Sequence, residues 1–529
     1  MPTMNRFKQL LTETDTFAIT CEHVPGLVSG GKKIDDILKF AERGVATGLV
    51  HAISLTDNPS GAPAIEPDIL ARELESLGMP AIVHVTTKDL NRGMMESRLR
   101  ALDRMGVRNL LVMSGDFPTT GQAGLSMPVF DIDPVHTLTM VTLMNRGLRI
   151  ADQTRALEET PSADFFHGAV FSPFKGTEPE TMTQLAKMQL KARAGAQYFV
   201  TQFGFDAGKL RPVPAYLAER GITVPVLGSV FILRKGAASA MHRGGVPGSL
   251  VTDELLETIT REAEAPDKGK AGSLERAAKQ IAVLKGLGFR GAHIEAMVMT
   301  PDMIETVLGR AEEFSKNWEA CAEELSWSPK GSFTLGAPSK KPDCSLMRKR
   351  RREGWLNWRL MRMLHTLMFV KTGARGGAMR AFCRTLDRWK FIGGVSHFCE
   401  KYLKALLFDC RDCGDCALPE MQYLCPQSQC PKQQRNGPCG GSRLDTCEVY
   451  PDRPCIWVKI YTRSKASGEL EELRTRAIGP RDWRLRDTSA WVNFHLNRDH
   501  TGYDFTTLFE APRAGNCARF ESRVASRGS

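Results

Sequence analysis

Eight short apolar, β-branched runs, separated by longer stretches of helical periodicity, occupy the first 320 residues and restrict the fold more than any other feature. The strand-like runs lie at 17–22, 49–56, 81–86, 109–113, 166–171, 198–202, 224–227 and 292–295. Amphipathic stretches at 33–43, 68–77, 94–105, 179–194 and 274–287 fall between them. Runs that are apolar on both faces belong in a parallel sheet covered by helices on either side. Eight such units over about 300 residues suit an α/β fold of the closed (β/α)8 TIM barrel type. An open doubly wound sheet is the alternative, and it is weakened because no GxGxxG follows the first strand.

Polar residues recur where these strands end. Glu22, Thr56, His84, Asp116, Ser172, Gln202 and Glu295 each stand at, or just past, the C-terminal end of a strand. In a barrel those ends converge on the one face that carries active sites. A single such residue is more often a helix cap or a satisfied core group, but seven on different strands point to an enzyme. The loop at 117–133 is far longer than the usual two to six residues of a βα connection. It is expected to be either a lid over the face or a static surface excursion.

The remainder of the chain differs in charge and in cysteine content. Residues 331–529 hold 35 Lys and Arg against 20 Asp and Glu, whereas residues 1–330 hold 36 against 40. Part of the excess is the run Arg348 to Arg352, for which a solvated boundary segment competes with an anionic partner. Few aromatics interleave with these arginines, which argues against nucleic acid. Of fourteen cysteines, eight fall between Cys410 and Cys455. Residues 1–30 lack the succession of a secretory signal, and the apolar stretch at 360–370 is interrupted by Arg362 and His365. A cytoplasmic protein without membrane insertion is therefore expected, and its crowded cysteines read as metal ligands before disulfides. The expected divisions are a barrel at 1–320, a basic linker with helices at 321–398, and a helical, cysteine-rich, metal-binding C-terminal region at 399–529. Trp355, Trp358, Leu360, Leu364, Met368 and Phe369 stand at helical spacing, which suits core or docking surface.

The cysteines run Cys410-x2-Cys413-x2-Cys416-x8-Cys425-x4-Cys430-x8-Cys439-x7-Cys447-x7-Cys455. The opening C-x2-C-x2-C matches three ligands of a bacterial [4Fe-4S] ferredoxin site, and Cys425-Pro426 and Cys430-Pro431 both qualify as the fourth. Zinc in four-cysteine sites and structural disulfides are alternatives. Amides in Gly437-Pro438-Cys439-Gly440-Gly441 could donate to cluster sulfur.

Several strand-end segments together resemble the methylenetetrahydrofolate reductase family: Thr20-Cys21-Glu22, Ser54-Leu55-Thr56-Asp57, His84-Val85-Thr86, Ser114-Gly115-Asp116-Phe117-Pro118, and Ala194-Gly195-Ala196 leading to Thr201-Gln202-Phe203-Gly204-Phe205-Asp206. The words Cys413-Gly414-Asp415-Cys416 and Arg435-Asn436-Gly437-Pro438-Cys439-Gly440-Gly441 resemble a C-terminal module fused to, or partnered with, some bacterial members. The resemblance implies an FAD across the C-terminal face and interconversion of 5,10-methylene- and 5-methyltetrahydrofolate. Thr56, His84, Gly115, Asp116 and Lys191 match flavin-contacting positions, and Ser114 and Ser172 are assigned to the same surface. Glu22 matches the general acid, and Gln202, with Glu295 beside it, the folate site. Protonation of folate N10 suits a carboxyl whose pKa apolar surroundings raise. Asp116 would tune the flavin. Tetrahydrofolate derivatives and a ferredoxin or other redox carrier are the implied partners; NAD(P)H as electron donor, the direction of the reaction and self-association stay open. The chain departs from the family at His23-Val24-Pro25-Gly26, at Ser114 where many members have Arg, and at Leu227-Gly228-Ser229-Val230.

Overall fold

A computed structural model describes residues 5–119, 124–151, 156–336 and 355–517. Among the described residues there are ten strands: β1 Ala18–His23, β2 Ala52–Leu55, β3 Ala81–Thr86, β4 Asn109–Met113, β5 Leu148–Ile150, β6 Leu157–Glu159, β7 Phe166–Phe171, β8 Tyr198–Thr201, β9 Val226–Phe231 and β10 Gly291–Glu295. All but β5 and β6 are parallel and close into one barrel, in the order β1-β10-β9-β8-β7-β4-β3-β2. β5 and β6 form a separate antiparallel pair. The eight-unit barrel expected from the sequence is therefore present, and the open sheet is not. Three strands, β3, β4 and β7, have the bounds their apolar runs predict, and the others differ by one to four residues at an end.

The lumen is built in layers because alternate residues of a strand point the same way. Its floor is Ala18, Ala52, Ile82, Leu111, Phe166, Tyr198, Val200 and Leu227, packed on Phe7 and Leu11 of the helix Arg6–Glu13, which plugs the N-terminal end. Two residues further along come Thr20, Ser54, His84 and His293, and two further still come Glu22, Thr56, Thr86 and Glu295. Polarity thus rises along the barrel axis toward the C-terminal face. Outside the strands, one continuous apolar layer joins them to the surrounding helices.

Beyond the barrel, helices span Trp355–Met368, Gly373–Arg388 and Lys390–Phe408, and the cysteine-rich segment that follows is largely irregular. Its small core gathers Ala417, Met421, Leu424, Ile456, Trp457, Ile460 and Ile478. The tail returns to the barrel. Phe505, Leu508 and Phe509 join the main core, and Arg146 donates to the carbonyls of Phe509 and Ala511. The basic run at 348–352 lies outside the described residues, as does part of the 117–133 loop. The rest of that loop is tied down, with Val129 N–H on the Lys88 carbonyl at 2.8 Å and Phe117 stacked on Phe130. Among the described residues no helix is long and apolar enough to cross a membrane.

Candidate active site and cysteine module

Register places the site's acids side by side. Cys21 pairs with Ile294, so the next residues, Glu22 on β1 and Glu295 on β10, are neighbours at the mouth of the lumen. Glu22 Oε2 lies 3.5 Å from His293 Nε2 and 3.8 Å from His84 Nε2. His293 is held from behind, with Thr20 Oγ1 and His293 Nδ1 2.7 Å apart, whereas His84 meets Ser54 Oγ at 2.7 Å through the same Nε2 that faces Glu22. These three ligand atoms could in principle embrace one cation.

The electrostatics differ from the sequence expectation of apolar surroundings around Glu22. Burial pushes this carboxyl up, but the His293 hydrogen bond and the nearby rings of His84, His293 and His23 reverse the effect and leave it below its ordinary value. Burial drives His84 and His23 themselves down to about 4, so at neutral pH they act as dipoles and not as cations. Glu295 goes the other way. Burial, reinforced by the charge of Glu22, holds it well above the ordinary range. The two neighbouring carboxyls thus shift in opposite directions, so a proton shared by the pair favours Glu295.

The other expected residues fall into three groups. Thr56 and Ser172 are buried at the rim, and their hydroxyls find no partner among the described residues. Ser114, Gly115 and Asp116 follow β4. Gly115 has φ +77°, and a Cβ there would meet the Thr86 Cβ at 2.8 Å, so only glycine fits this turn. Asp116 Oδ2 accepts from Ser60 N–H at 2.7 Å. Gln202 Oε1 accepts from Phe203 N–H at 3.2 Å. Lys191 lies near the C-terminal end of β7, where its side-chain nitrogen donates to the Val170 carbonyl at 2.6 Å. Burial next to Lys187 holds its pKa well below the ordinary lysine value. Asp57, in a strand-end segment quoted above, is engaged by Arg98 at 2.9 Å and Thr86 at 2.8 Å, which makes it a brace and not a reacting group.

Sequence reasoning missed His293, Thr20 and Ser54, although their two-residue offset from Glu295, Glu22 and Thr56 was a usable signal. It also missed the module's position. Gln434 accepts from the Ser114 hydroxyl at 3.1 Å, and Lys432 donates to the Gly115 carbonyl at 2.8 Å. Lys187 donates to Gln434, Gly437 and Pro438, and Lys175 to the carbonyls of Gly440 and Ser442. Gly437 needs its positive φ of +112°, and a Cβ there would strike Lys187 Cβ at 2.6 Å. Asp133 caps the helix Pro134–Asn145 and also accepts from the amides of Arg435 and Asn436. The cysteine module therefore seats directly against the strand-end loop Ser114–Asp116.

The eight cysteines divide into two sets of four. Cys410, Cys413, Cys416 and Cys425 are mutual electrostatic neighbours and line one cavity with Lys404, Phe408 and Arg435. Cys430, Cys439, Cys447 and Cys455 form the second set. Of the two Cys-Pro candidates, Cys425 lies with the first three thiols and Cys430 with the second group. Burial raises Cys416 to about 11 and Cys439 to about 12, so these thiols ionise at neutral pH only beside a compensating cation. Gly441 N–H points at Cys439 Sγ at 3.5 Å, as the glycine-rich word suggested. The described cysteines are all free of disulfides.

Residues 6–309 match the family model described as methylenetetrahydrofolate reductase. The chain belongs to the methylenetetrahydrofolate reductase family. Residues 393–484 match a second model, described as methylene-tetrahydrofolate reductase C terminal, so the cysteine module too has relatives among reductases. A Caenorhabditis elegans protein named probable methylenetetrahydrofolate reductase (NADPH) is 24% identical over 277 residues, which make up 50% of this chain and 38% of that relative. The chain thus matches well under half of the relative's length. A solved structure, of an uncharacterized protein from Clostridium thermocellum that binds two copies of 5-methyl-5,6,7,8-tetrahydrofolic acid, is similar over 59% of this chain and 99% of its own. Its TM-score is 0.40 and its identity 15%.

Proposed function

We propose that this reductase-family chain interconverts 5,10-methylene- and 5-methyltetrahydrofolate on an FAD at the barrel's C-terminal face, and exchanges electrons through its cysteine module. The observation that carries this reading is the Glu22–His84–His293 group at the mouth of a polar lumen, beneath a rim of buried hydroxyls with no protein partner. The rim fits a flavin's polar edge: Thr56 and Ser172 offer free hydroxyls, and the side-chain-free turn at Gly115 leaves backbone close by. A bound flavin would supply hydride transfer with the one-carbon unit and divide a two-electron step into single electrons.

The chain's own residues manage the proton. Reduction of the methylene unit needs a proton on folate N10. Glu22, about one-fifth exposed at the mouth, is placed to deliver it, while the buried Glu295 holds the proton that replenishes Glu22. His293 orients the Glu22 carboxyl by its ring N–H, and His84, hydrogen-bonded to Ser54, lines the other side of the pocket. Gln202 and the end of β10 would bound the folate.

The ferredoxin-like spacing Cys410-x2-Cys413-x2-Cys416, with Cys425 lining the same cavity, favours iron–sulfur ligation over zinc. Contacts from Gln434 and Lys432 to Ser114 and Gly115 would set the second group of thiols beside a flavin held at that face. This favours a one-electron carrier over a nicotinamide as the electron partner, and it allows either direction of reaction. The test is anaerobic purification with flavin, iron and zinc quantitation, followed by titration with 5-methyltetrahydrofolate. Bound FAD that bleaches on titration, with iron in excess of zinc, is expected; protein that takes up no flavin on reconstitution would overturn the reading.

A further inference from the structure

The helix Lys390–Phe408 is turned inside out. Phe391, Val395, Phe398, Tyr402 and Leu406 are all exposed, Phe391 and Leu406 at 84%. Their spacing of four, three, four and four residues sets them in one stripe along the helix. On the inner side stand Glu400 and Lys404, which are buried and paired at 3.1 Å. An ordinary surface helix does the reverse. Leu360, Met363, Leu367, Phe382 and Trp389 on the two preceding helices are exposed as well. Apolar area on this scale marks a surface that another molecule covers.

The charge around the stripe is one-sided. Residues 355–411 contain 11 Lys and Arg against 3 Asp and Glu. Of the three acids, Glu400 is buried and Asp387 is paired with Arg498 at 2.6 Å. Arg375, Arg384, Arg388, Lys390 and Lys401 are exposed. The stripe also ends at a redox-type site, because Lys404 and Phe408 line the cavity of the first cysteine set, which begins at Cys410.

We propose that the helices spanning 355–408 form the docking surface for an acidic one-electron carrier protein that exchanges electrons with the Cys410–Cys413–Cys416–Cys425 set. The inference rests on the iron–sulfur relay proposed above. An apolar centre with a basic rim attracts an acidic partner and repels a second copy of this chain, whose identical face would oppose like charges. A lipid surface could cover the stripe too, but it would exchange no electrons with the thiol set that the helix abuts. Each encounter moves one electron. Conversion of one methylene to one methyl group takes two electrons and two protons, so two reduced carriers are oxidised per turnover, and in the reverse direction two oxidised carriers are reduced.

The experiment uses the anaerobic full-length holoprotein and an acidic plant-type [2Fe–2S] ferredoxin as probe. Affinity is measured by titration calorimetry at low and high ionic strength. The variants are Arg384→Glu with Arg388→Glu, and Phe391→Ser with Phe398→Ser. Flavin bleaching by 5-methyltetrahydrofolate and the oxidation of reduced methyl viologen by 5,10-methylenetetrahydrofolate, two viologens per methylene group and with no need of a docking surface, are followed in parallel. Binding to the wild type that weakens with salt, and weakens about tenfold or more in each variant, is expected while bleaching and viologen oxidation hold. Equal affinity in wild type and variants overturns the proposal. So does flotation of the wild type with phosphatidylglycerol vesicles, or a dimer in sedimentation that Phe391→Ser with Phe398→Ser dissociates. If the wild type bleaches but cannot oxidise reduced viologen, the relay itself is wrong; if it oxidises viologen but does not bind ferredoxin, only the docking surface is.

Discussion

The barrel and the cysteine module solve the same problem, holding polar groups out of water, by opposite means. The barrel surrounds its few lumen polar groups with a continuous apolar core, and strand register alone sets Glu22 beside Glu295. The module has a core of seven buried apolar residues and carries buried charge throughout: Asp415 with His500 and Arg435, Glu420 with His500, Lys432 with Glu448, Glu400 with Lys404. Its eight thiols are pushed together without disulfides. A core this small leaves the segment more dependent than the barrel on any ion that its thiols bind.

The largest effect that could break this contrast is metal removal. Binding energy at a structural metal site is folding energy, on the order of 10 kcal/mol for a Cys-ligated ion. Chelation, or Cys413→Ser with Cys439→Ser, should expose residues 410–455 to protease and hydrogen exchange while the barrel strands stay protected. A module that keeps its protection with no metal bound would show that its polar network suffices. Next in size, Glu22→Gln should lower folate turnover by about 10²–10⁴-fold and leave flavin binding in place. Turnover near wild type would remove Glu22 from the chemistry.

A smaller change probes the seam between the two regions. Asn436 donates to the Asp133 carboxylate and the Ile478 carbonyl, and accepts from the Ile478 amide. Asn436→Ala removes these side-chain bonds and leaves the buried Ile478 amide unpaired, at a cost of about 1–3 kcal/mol. Calorimetry should then resolve two melting transitions where the wild type gives one; a single unshifted transition would mean that the seam carries no coupling. The smallest effect concerns Glu295. Its folded pKa lies above its unfolded value, so the stability it contributes is present at low pH and is lost as pH rises through the folded value. Glu295→Gln cannot ionise and should therefore gain melting temperature relative to wild type as pH is raised from acid to alkaline. A difference that does not change with pH would show that Glu295 carries no displaced proton.

Much of the barrel was legible because strand and helix periods are local properties of the chain. The runs at 81–86, 109–113 and 166–171 became strands with those bounds, and Glu22, Thr56, His84 and Glu295 came to one mouth because every parallel strand ends on the same face. Helix ends were less legible, as at Lys32–Thr47, which outruns its amphipathic stretch at both ends. The inside-out helix Lys390–Phe408 was legible only as apolar spacing. Which side faced the module depended on where Glu400 found Lys404, Ser489 and the Trp491 amide.

Residue pattern alone carried the barrel, the face on which its strand-end polar residues meet, the reductase-family membership and the crowding of eight cysteines into one segment. Each of these is written in local pattern or in short words. Three things were decided only by the tertiary structure. Cys425 and Cys430, five residues apart and both followed by proline, went to different sets because the chain between them turns through the short helix Pro426–Gln429. Glu22 and Glu295 acquired opposite pKa shifts because the histidines sit on one carboxyl and not on the other, although both are buried at neighbouring strand ends. The module came to rest on Ser114 and Gly115 because Asp133, a helix cap in the barrel, has a second carboxylate oxygen free to hold the amides of Arg435 and Asn436. Each depends on groups brought together from across the chain, about 300 residues apart for Asp133 and its partners, and no local period encodes such a meeting.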